Sequence, residues 1–229
     1  MKTGGALAPP FLFRESLLRR KAVEYTTVKR ENADEFIEKK SRFIGSCKPV
    51  QTEEQALEFI AQKKTQYWDA SHNVYADILR ENGVQRFSDD GEPQGTAGIP
   101  VLDTLKKAGV VDAVVVATRY FGGILLGGGG LIRAYSHTAS IALAAAQKIQ
   151  MRECLLLGVS CDYSAYGRVQ GLIPEGGGVI DDTQFLEDVT LRFHLAPERF
   201  DPLHRALLDA TGGACVLKEE GKRFFEFSE

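Results

Sequence analysis

The sequence predicts an α+β protein of two domains, and three observations lead to this class. Its 229 residues, 44% of them apolar, are enough to bury one large core or two small ones. Segments typical of strands and of helices are mixed over residues 21–150. From Glu153 a new order begins (strand, helix, two strands, helix, strand), which is the split βαβ or ferredoxin-like plan. We therefore expect domains at residues 21–150 and 151–229, with a boundary near residues 149–152.

Residues 1–20 are expected to be a poorly ordered leader outside both domains. They contain a short apolar patch, but Arg14, Arg19 and Arg20 follow that patch, whereas a signal peptide has its cations first. No segment approaches the roughly 20 apolar residues that a membrane-spanning helix needs. The chain is therefore expected to be cytoplasmic, with no membrane partner.

The first domain is expected to start with strands. Residues 22–30 and 41–50 are rich in β-branched and aromatic side chains, which favours strands. Between them, the polar segment 32–40 is interpreted as a turn or a short helical piece. Thr52 followed three positions later by Gln55 is a capping box, which predicts the start of a helix.

The middle of the first domain predicts a hairpin and a second helix. A strand near Val74 and another at 84–87 flank the turn-forming residues 81–83. The segment 96–107 is expected to be helical, and Gly109 is expected to end that helix in a left-handed conformation.

The end of the first domain predicts a buried strand, a glycine-rich turn and a long helix. The valine-rich segment 112–118 predicts the strand, and the alanine-rich segment 131–149 predicts the helix. Between them, six glycines fall in the nine positions from Gly122 to Gly130.

The second domain is expected to follow the ferredoxin-like order. Ser164 is predicted to cap its first helix, which ends at Ile173. The remaining segments are predicted as strands at 154–163, 178–185, 188–195 and 212–221, and as a second helix at 197–210.

Charge and cysteine usage narrow the classes of function. Residues 151–229 carry 8 Lys and Arg against 14 Asp and Glu, so only the first domain could offer a basic face to nucleic acid. The cysteines are Cys47, Cys154, Cys161 and Cys215, with no C-x-x-C pair, so neither a disulfide framework nor a zinc site is indicated. We expect four reduced thiols.

The glycine-rich turn has two interpretations, which the sequence leaves open. A strand, a glycine-rich turn and a helix can seat an anion on backbone N–H groups, and Arg119 and Arg133 could add charge. The segment is neither a Walker A loop nor a G-x-G-x-x-G turn. The alternative is close packing of backbone against a neighbouring strand.

An acidic turn precedes the second helix. Asp89, Asp90 and Glu92 could form a general acid/base pair or a magnesium site. A solvated turn is favoured, because aspartate commonly caps turns through its side chain.

His72 lies close in sequence to Asp69 and Ser71, residue types that occur in catalytic triads. Asp69, Ser71 and His72 are too close in sequence to form a catalytic triad, so a local bond between Asp69 and His72 is favoured. No H-x-x-x-H or H-E-x-x-H pattern occurs, so no metal site is predicted.

Four segments together resemble the signature of the YigZ/IMPACT family: SRFIGSCKPV, DASHNVYADILR, DDGEPQGTAGIPVLDTL and ATRYFGGILLGGGGLIRAY. The resemblance spans about residues 25–145, and DDGEP-x-GTAG followed by TRYFGG and GGL-x-RAY is specific. It implies a first domain like the second domain of ribosomal small-subunit protein five. The segment after residue 151 resembles a C-terminal domain of elongation factor G. No catalytic activity and no cofactor come with the family.

The family motif, carried onto this chain, gives the expected binding residues: Asp69, His72, Asp89, Asp90, Glu92, Gly95, Thr96, Arg119, Tyr120, Phe121, Gly122, Gly123, Gly127, Gly129, Gly130 and Arg133. Two departures stand out. Leu125 occupies the place where the family usually has lysine, and the segment 127–130 reads GGGG where the family usually has GAGG. The missing lysine removes a charge that a phosphate contact would have used.

Three functions follow as hypotheses. The favoured one is a cytosolic, non-catalytic binding protein associated with translation, in which the first domain binds RNA, the ribosome or a translation factor and the acidic second domain contacts protein. In it, Arg119 and Arg133 would contact phosphate, and Tyr120 or Phe121 could stack on a base. One alternative is an enzyme acting on a small phosphorylated or acidic metabolite, in which Asp90, Glu92 or His72 handles protons. The other is a protein–protein interaction module whose motif is mainly structural.

Overall fold

The computed structural model describes residues 23–227, and the predicted leader lies outside this range. The described chain forms two compact units, one of residues 25–150 and one of residues 151–227 with Val23 and Glu24. Within residues 23–227 no helix has the length and apolar character to cross a membrane.

The first unit is built on a five-stranded antiparallel sheet of order β2-β3-β6-β4-β5. Strand β1, Glu24–Val28, precedes this sheet in the chain and bridges to Val110 through Thr26. The strands of the sheet are β2 Asn32–Glu38, β3 Ser41–Pro49, β4 His72–Ile78, β5 Gln85–Ser88 and β6 Ala113–Tyr120.

Three helices cover this sheet: α1 Glu53–Gln66, α2 Gly98–Lys107 and α3 Gly128–Ala146. The central strand β6 is buried on both faces, because successive side chains of a strand point to opposite sides. Val115 belongs to the core formed with α2 and α3, whereas Val114 and Val116 belong to the core formed with α1. The predicted buried strand at the valine run is therefore confirmed.

Helix α1 begins as the sequence predicts. Thr52 is its N-cap, and its hydroxyl accepts a hydrogen bond from the backbone N–H of Gln55 at 3.3 Å. The Gln55 side chain accepts from the N–H of Gln51 at 2.7 Å, one residue before the position expected in a capping box.

Two segments of the first unit differ from the secondary structure predicted for them. The segment 32–40, expected to be a turn or a short helical piece, is a turn only at Lys39 and Lys40. Its first seven residues form β2, because pairing with β3 outweighs the low strand propensity of its polar residues. Helix α3 begins at Gly128 instead of residue 131 and ends at Ala146, so three glycines lie inside its first turn. Residues 148 and 149, expected at its end, instead begin the next strand.

The second unit has the predicted ferredoxin-like order, and the α+β class is confirmed. Its strands run in the spatial order β10-β7-β9-β8. The elements are β7 Lys148–Cys161, α4 Tyr163–Glu175, β8 Val179–Phe185, β9 Val189–Leu195, α5 Phe200–Thr211 and β10 Val216–Phe227.

The cap of α4 and the cysteines complete the second unit. Asp162, and not Ser164, is the N-cap of α4, because its carboxylate accepts from the N–H of Ala165 at 2.8 Å. All four cysteines are free thiols in buried positions. Burial raises the pKa of the Cys47 thiol to about 12, which leaves it unreactive at neutral pH.

Candidate functional site

The acidic turn and the glycine-rich turn meet at one end of the first sheet. His72 starts β4 and lies opposite Arg119, near the end of β6, in the strand register. Between these two turns lies a cleft of about 470 Å³, named here the recognition cleft. Its lining includes His72, Glu92, Arg119, Phe121, Leu125 and Gly128.

A buried ion pair forms the floor of the recognition cleft. The Glu92 Oε1 atom accepts from Arg119 Nη1 at 2.6 Å and from the Tyr135 hydroxyl at 2.7 Å. Both charged side chains are almost fully buried, with exposures of 3% for Glu92 and 6% for Arg119. Burial, and then the charge of Glu92, raises the pKa of Tyr135, so this hydroxyl remains a donor.

This ion pair corrects the role expected for Arg119. Its guanidinium is not free to contact a phosphate, because Nη1 is bound to Glu92 and Nη2 lies 3.4 Å from the Ser41 hydroxyl. Glu92 likewise does not belong to a solvated turn. Its charge is neutralised inside the protein, and the pair holds the acidic turn against β6.

The two aspartates of the acidic turn also accept hydrogen bonds from groups of the protein. Asp89 accepts from the N–H groups of Gly95, Ala97 and Gly98, at 2.9, 3.1 and 2.8 Å, and thereby satisfies the start of α2. Asp90 accepts from the N–H of Asn73 and from Lys64, both at 2.7 Å. The favoured expectation of a solvated turn is therefore wrong, because these carboxylates hold loops and a helix end in place.

Two further motif positions near Asp89 have structural roles. Gly95 has φ +77°, a value that favours glycine, while donating to Asp89. The Thr96 hydroxyl donates to the carbonyl of Pro93 at 2.6 Å.

His72 is held by backbone and not by the carboxylate expected. Its Nδ1 lies 2.8 Å from the carbonyl oxygen of Asp90, and since a carbonyl only accepts, Nδ1 carries the proton. Nε2 lies 3.9 Å from Glu92 Oε1. Asp69 instead accepts from the Tyr120 hydroxyl at 2.8 Å, so the predicted bond between Asp69 and His72 is wrong.

The two adjacent aromatic residues of the motif differ in their surroundings: the Tyr120 hydroxyl is hydrogen-bonded to Asp69, whereas the Phe121 ring is exposed. Burial, followed by the hydrogen bond to Asp69, raises the pKa of Tyr120. Phe121 is 47% exposed at the cleft, and the Arg119 guanidinium lies 5.3 Å from its ring centre. Leu125 is 82% exposed beside it.

The glycines of the loop serve different purposes. Gly122 packs against the β2–β3 turn, where a Cβ would overlap the carbonyl carbon and oxygen of Lys40. Gly123 and Gly127 have φ +81° and +74°. Gly128 and Gly129 have neither restriction: no atom lies within 4 Å of a Cβ on Gly128, and the nearest to one on Gly129 is an Arg133 nitrogen at 3.7 Å.

The two open glycines expose backbone at the start of a helix. The first N–H groups of α3 have no acceptor within the helix, and its N-terminus carries partial positive charge. At Gly130 a Cβ would lie 3.0 Å from the Leu126 side chain, so that position is packed. The glycine-rich turn therefore combines close packing at Gly122 with an open helix start at Gly128 and Gly129.

Arg133 lies outside the recognition cleft, in an adjoining cavity of about 290 Å³ that we name the basic groove. Besides Arg133 the groove is lined by Phe36, Glu38, Lys39, Leu126, Gly130, Ala134 and His137. The sequence did not indicate Lys39 or His137 as site residues, because Lys39 reaches α3, which carries His137, only through the strand that was predicted as a turn.

Within residues 23–227 no group of three or more His, Cys, Asp or Glu side chains is arranged to hold a metal ion. The carboxylates of the acidic turn point to three different partners: the start of α2, the Asn73 and Lys64 donors, and Arg119. This arrangement does not fit the magnesium site considered for Asp89, Asp90 and Glu92.

Known proteins resemble the chain over most of its length. The Impact N-terminal domain matches residues 39–143, and a domain of unknown function (DUF1949) matches residues 159–214. IMPACT family member YvyE of Bacillus subtilis (strain 168) is 36% identical over 203 residues, which cover 88% of this chain and 94% of that protein. IMPACT family member YigZ of Escherichia coli (strain K12) is 32% identical over 182 residues, covering 78% and 89%.

Two other comparisons concern a eukaryotic relative and a solved structure. The protein IMPACT homolog of Dictyostelium discoideum is 38% identical over 105 residues, which cover 44% of this chain and 29% of that protein. A crystal structure described as that of a hypothetical protein superposes with a TM-score of 0.55 and 29% identity, covering 85% of this chain and 96% of that one.

Proposed function

This chain belongs to the IMPACT family, and we propose that it is a cytosolic, non-catalytic binding protein of the translation apparatus. It binds RNA, the ribosome or a translation factor at the recognition cleft of its first unit. The second unit, in which acidic residues outnumber basic ones, contacts protein.

The observation that carries this proposal is the open start of α3. A glycine within a helix is less stable than alanine by roughly 0.5–1 kcal/mol, so two glycines without a steric reason need another explanation. At Gly128 and Gly129 the chain itself would accept a methyl group. The absent side chains leave backbone N–H groups accessible to an anionic group of a partner, such as a phosphate.

The surroundings of this helix start suit a partner that also has an apolar or aromatic part. Phe121 and Leu125 are exposed at the cleft, and the Arg119 guanidinium supports the ring of Phe121. A nucleotide combines a phosphate with a base that can stack on such a ring.

Ribosome co-sedimentation of the full chain at about 50 and about 200 mM salt tests the proposal. We expect binding at the lower salt concentration and weaker binding at the higher one. Gly128→Ala with Gly129→Ala should reduce binding several-fold, because the added methyl groups cover the helix start.

The matched control is Gly167→Ala with Gly171→Ala. Both glycines lie in α4, and a Cβ on either meets no atom within 4 Å, so the control has the same gain in helix propensity. Equal binding of the two double variants, or no binding of the wild type at low salt, contradicts the proposal.

Leu125→Lys separates a nucleic acid from a protein partner. The substitution restores the cation that the family resemblance places at this position, and Leu125 is exposed enough to accept it without repacking. An RNA-containing partner should bind this variant more tightly, with a steeper salt dependence. Arg119→Ala is not a suitable probe, because it would leave Glu92 buried without its counterion.

An enzyme acting on a phosphorylated or acidic metabolite is the second candidate. The hydrogen bonding of His72 favours it: Nδ1 is fixed by a carbonyl, whereas Nε2 lies 3.9 Å from Glu92 Oε1, outside hydrogen-bond distance, and is left to exchange a proton with a ligand in the cleft. Thermal-shift measurements with nucleotides, other phosphorylated metabolites and divalent metals test it, since a bound ligand raises the melting temperature. If none of these ligands changes the melting temperature, the enzyme hypothesis is contradicted and only the non-catalytic binding function remains.

A further inference from the structure

We infer that the basic groove binds the phosphate backbone of single-stranded RNA, with a neighbouring nucleotide entering the recognition cleft. This inference rests on the proposed function and specifies its partner. It depends on the cations around the groove, on the strained turn that carries two of them, and on the continuity of the two cavities.

The cations at the groove lack ion-pair partners among residues 23–227. Lys39 and Arg133 line the groove, and the exposed Lys40 follows in the same turn. None of the three forms a salt bridge within the described chain, whereas Arg42 nearby is paired with Glu35 at 2.6 Å. Glu38 is the one carboxylate residue of the groove lining, so the cations exceed the anions. Such a surface attracts polyanions.

Two of these cations occupy a turn that lysine disfavours. Lys39 and Lys40 form the two-residue connection between Glu38 and Ser41, which are paired in the β2–β3 register. Their φ angles are +45° and +65°, as in a type I′ turn, where Asn-Gly is the favoured pair. Lysine has no local advantage there, so the presence of two lysines at these φ angles indicates a role outside the turn.

The turn is fixed beside the start of α3. Gly122 packs directly on the backbone of Lys40, which ties the β2–β3 turn to the glycine-rich turn. Across the groove, Gly130, Arg133 and His137 lie on one face of α3 at helical spacing. The groove is therefore a built surface with a defined position relative to the open N–H groups of the helix.

The two cavities adjoin at Leu126, which lines both. A chain of phosphates along the groove would pass the start of α3 and reach Phe121, whose exposed ring can stack on a base. This combination of cations with one exposed aromatic ring matches a single strand of RNA, in which a base accompanies every phosphate at a regular spacing, better than an acidic peptide, whose aromatic side chains have no regular spacing from its charges.

Fluorescence anisotropy with a labelled oligouridylate of about ten nucleotides tests the inference on the full chain. The variant Lys39→Asn with Lys40→Gly replaces the strained pair by the pair the turn favours. We expect its melting temperature to be equal or higher, and its affinity for the oligouridylate at low salt to fall about tenfold, with a salt slope smaller by one or two. Arg133→Gln should act in the same direction.

The control variant is Lys106→Gln with Lys107→Gln, which removes two exposed lysines at the end of α2. It should bind the oligouridylate like the wild type. An equal loss in this control would show a non-specific charge effect and overturn the assignment. So would unchanged binding by Lys39→Asn with Lys40→Gly, or tighter binding of a polyglutamate peptide than of the RNA.

The outcomes separate this inference from the proposed function. If Gly128→Ala with Gly129→Ala weakens ribosome binding while Lys39→Asn with Lys40→Gly leaves RNA binding intact, the groove assignment is wrong and the proposed function stands. If the wild type binds neither ribosomes nor the oligouridylate at low salt, the proposed function itself is wrong.

Discussion

At the scale of single residues, Glu92 joins the acidic turn to the rest of the first unit. One of its oxygens accepts from Arg119 and from Tyr135, which belong to β6 and α3. A carboxylate and a guanidinium buried together are stable only while both are present, because either alone would be an uncompensated charge. Glu92, one of the residues considered for proton transfer in the sequence, is therefore tied into the fold.

Glu92→Ala is expected to lower the free energy of unfolding by about 3–5 kcal/mol, since Arg119 then remains buried without its partner. Arg119→Met with Glu92→Leu should lose less than the sum of the two single variants, because no unpaired charge is left. Urea unfolding of Glu92→Leu, Arg119→Met and the double variant measures this, and additive losses would show that the pair is not coupled.

At the scale of elements, the glycine-rich turn combines packing with exposure. Gly122 lets the turn pack against the β2–β3 connection, and Gly127 takes the left-handed conformation that precedes α3. Gly128 and Gly129 then begin the helix without a constraint from the chain. An added methyl group would therefore overlap neighbouring backbone at Gly122 but would meet open space at Gly128.

Gly122→Ala is expected to destabilise the first unit by at least about 2 kcal/mol, because the new methyl group meets the backbone of Lys40, which cannot move aside cheaply. Gly128→Ala with Gly129→Ala should instead leave stability unchanged or raise it by up to about 1 kcal/mol. Thermal and urea unfolding distinguish these results, and a stabilised Gly122→Ala would contradict the packing described.

The start of α4 makes stability depend on pH. Hydrogen bonds from the Ser164 hydroxyl and then the Ala165 N–H lower the pKa of Asp162 below its ordinary value of 3.8. A carboxylate whose pKa is lower in the folded state stabilises the protein above 3.8, and this contribution is lost as the pH falls through the folded-state pKa.

Asp162→Asn keeps a capping side chain but does not titrate. The urea midpoint of the wild type should therefore fall relative to that of Asp162→Asn as the pH is lowered below about 4, and the difference should be constant near neutral pH. Because Asp162 is exposed, we expect a small effect. Parallel curves for the two proteins over the whole pH range would exclude this role.

At the scale of the whole molecule, each unit has a core of its own. Phe43, Leu105 and Tyr135 are buried in the first unit, and Leu157, Leu191 and Phe193 in the second. The recognition cleft and the basic groove are formed by residues 25–150 alone. The first unit thus contains every residue that the proposed function requires for the anionic partner.

Leu157→Ala, at a position that is 1% exposed, is expected to destabilise the second unit by about 2–5 kcal/mol. Calorimetry should show a lower melting temperature for that unit. At temperatures below this transition, ribosome binding by the first unit should be unchanged. Leu105→Ala is the corresponding change in the first unit and should lower the other transition. A single transition shifted equally by both variants would contradict independent cores.

The sequence by itself determined the fold class, the order of elements in the second unit and the start of α1. These features depend on local patterns, such as the period of apolar residues and the Thr52 and Gln55 spacing, and local patterns are what a sequence carries directly. The motif also indicated the two turns that line the recognition cleft.

Only the tertiary structure decided what each motif residue does. Arg119 is buried because its partner Glu92, far away in sequence, folds onto it, and His72 is held by a carbonyl that no sequence pattern marks. The segment 32–40 becomes strand and turn because β3 pairs with it, which brings Lys39 to the start of α3. Contacts between distant residues outweigh local propensity, and they fix which charges are neutralised and which face a partner.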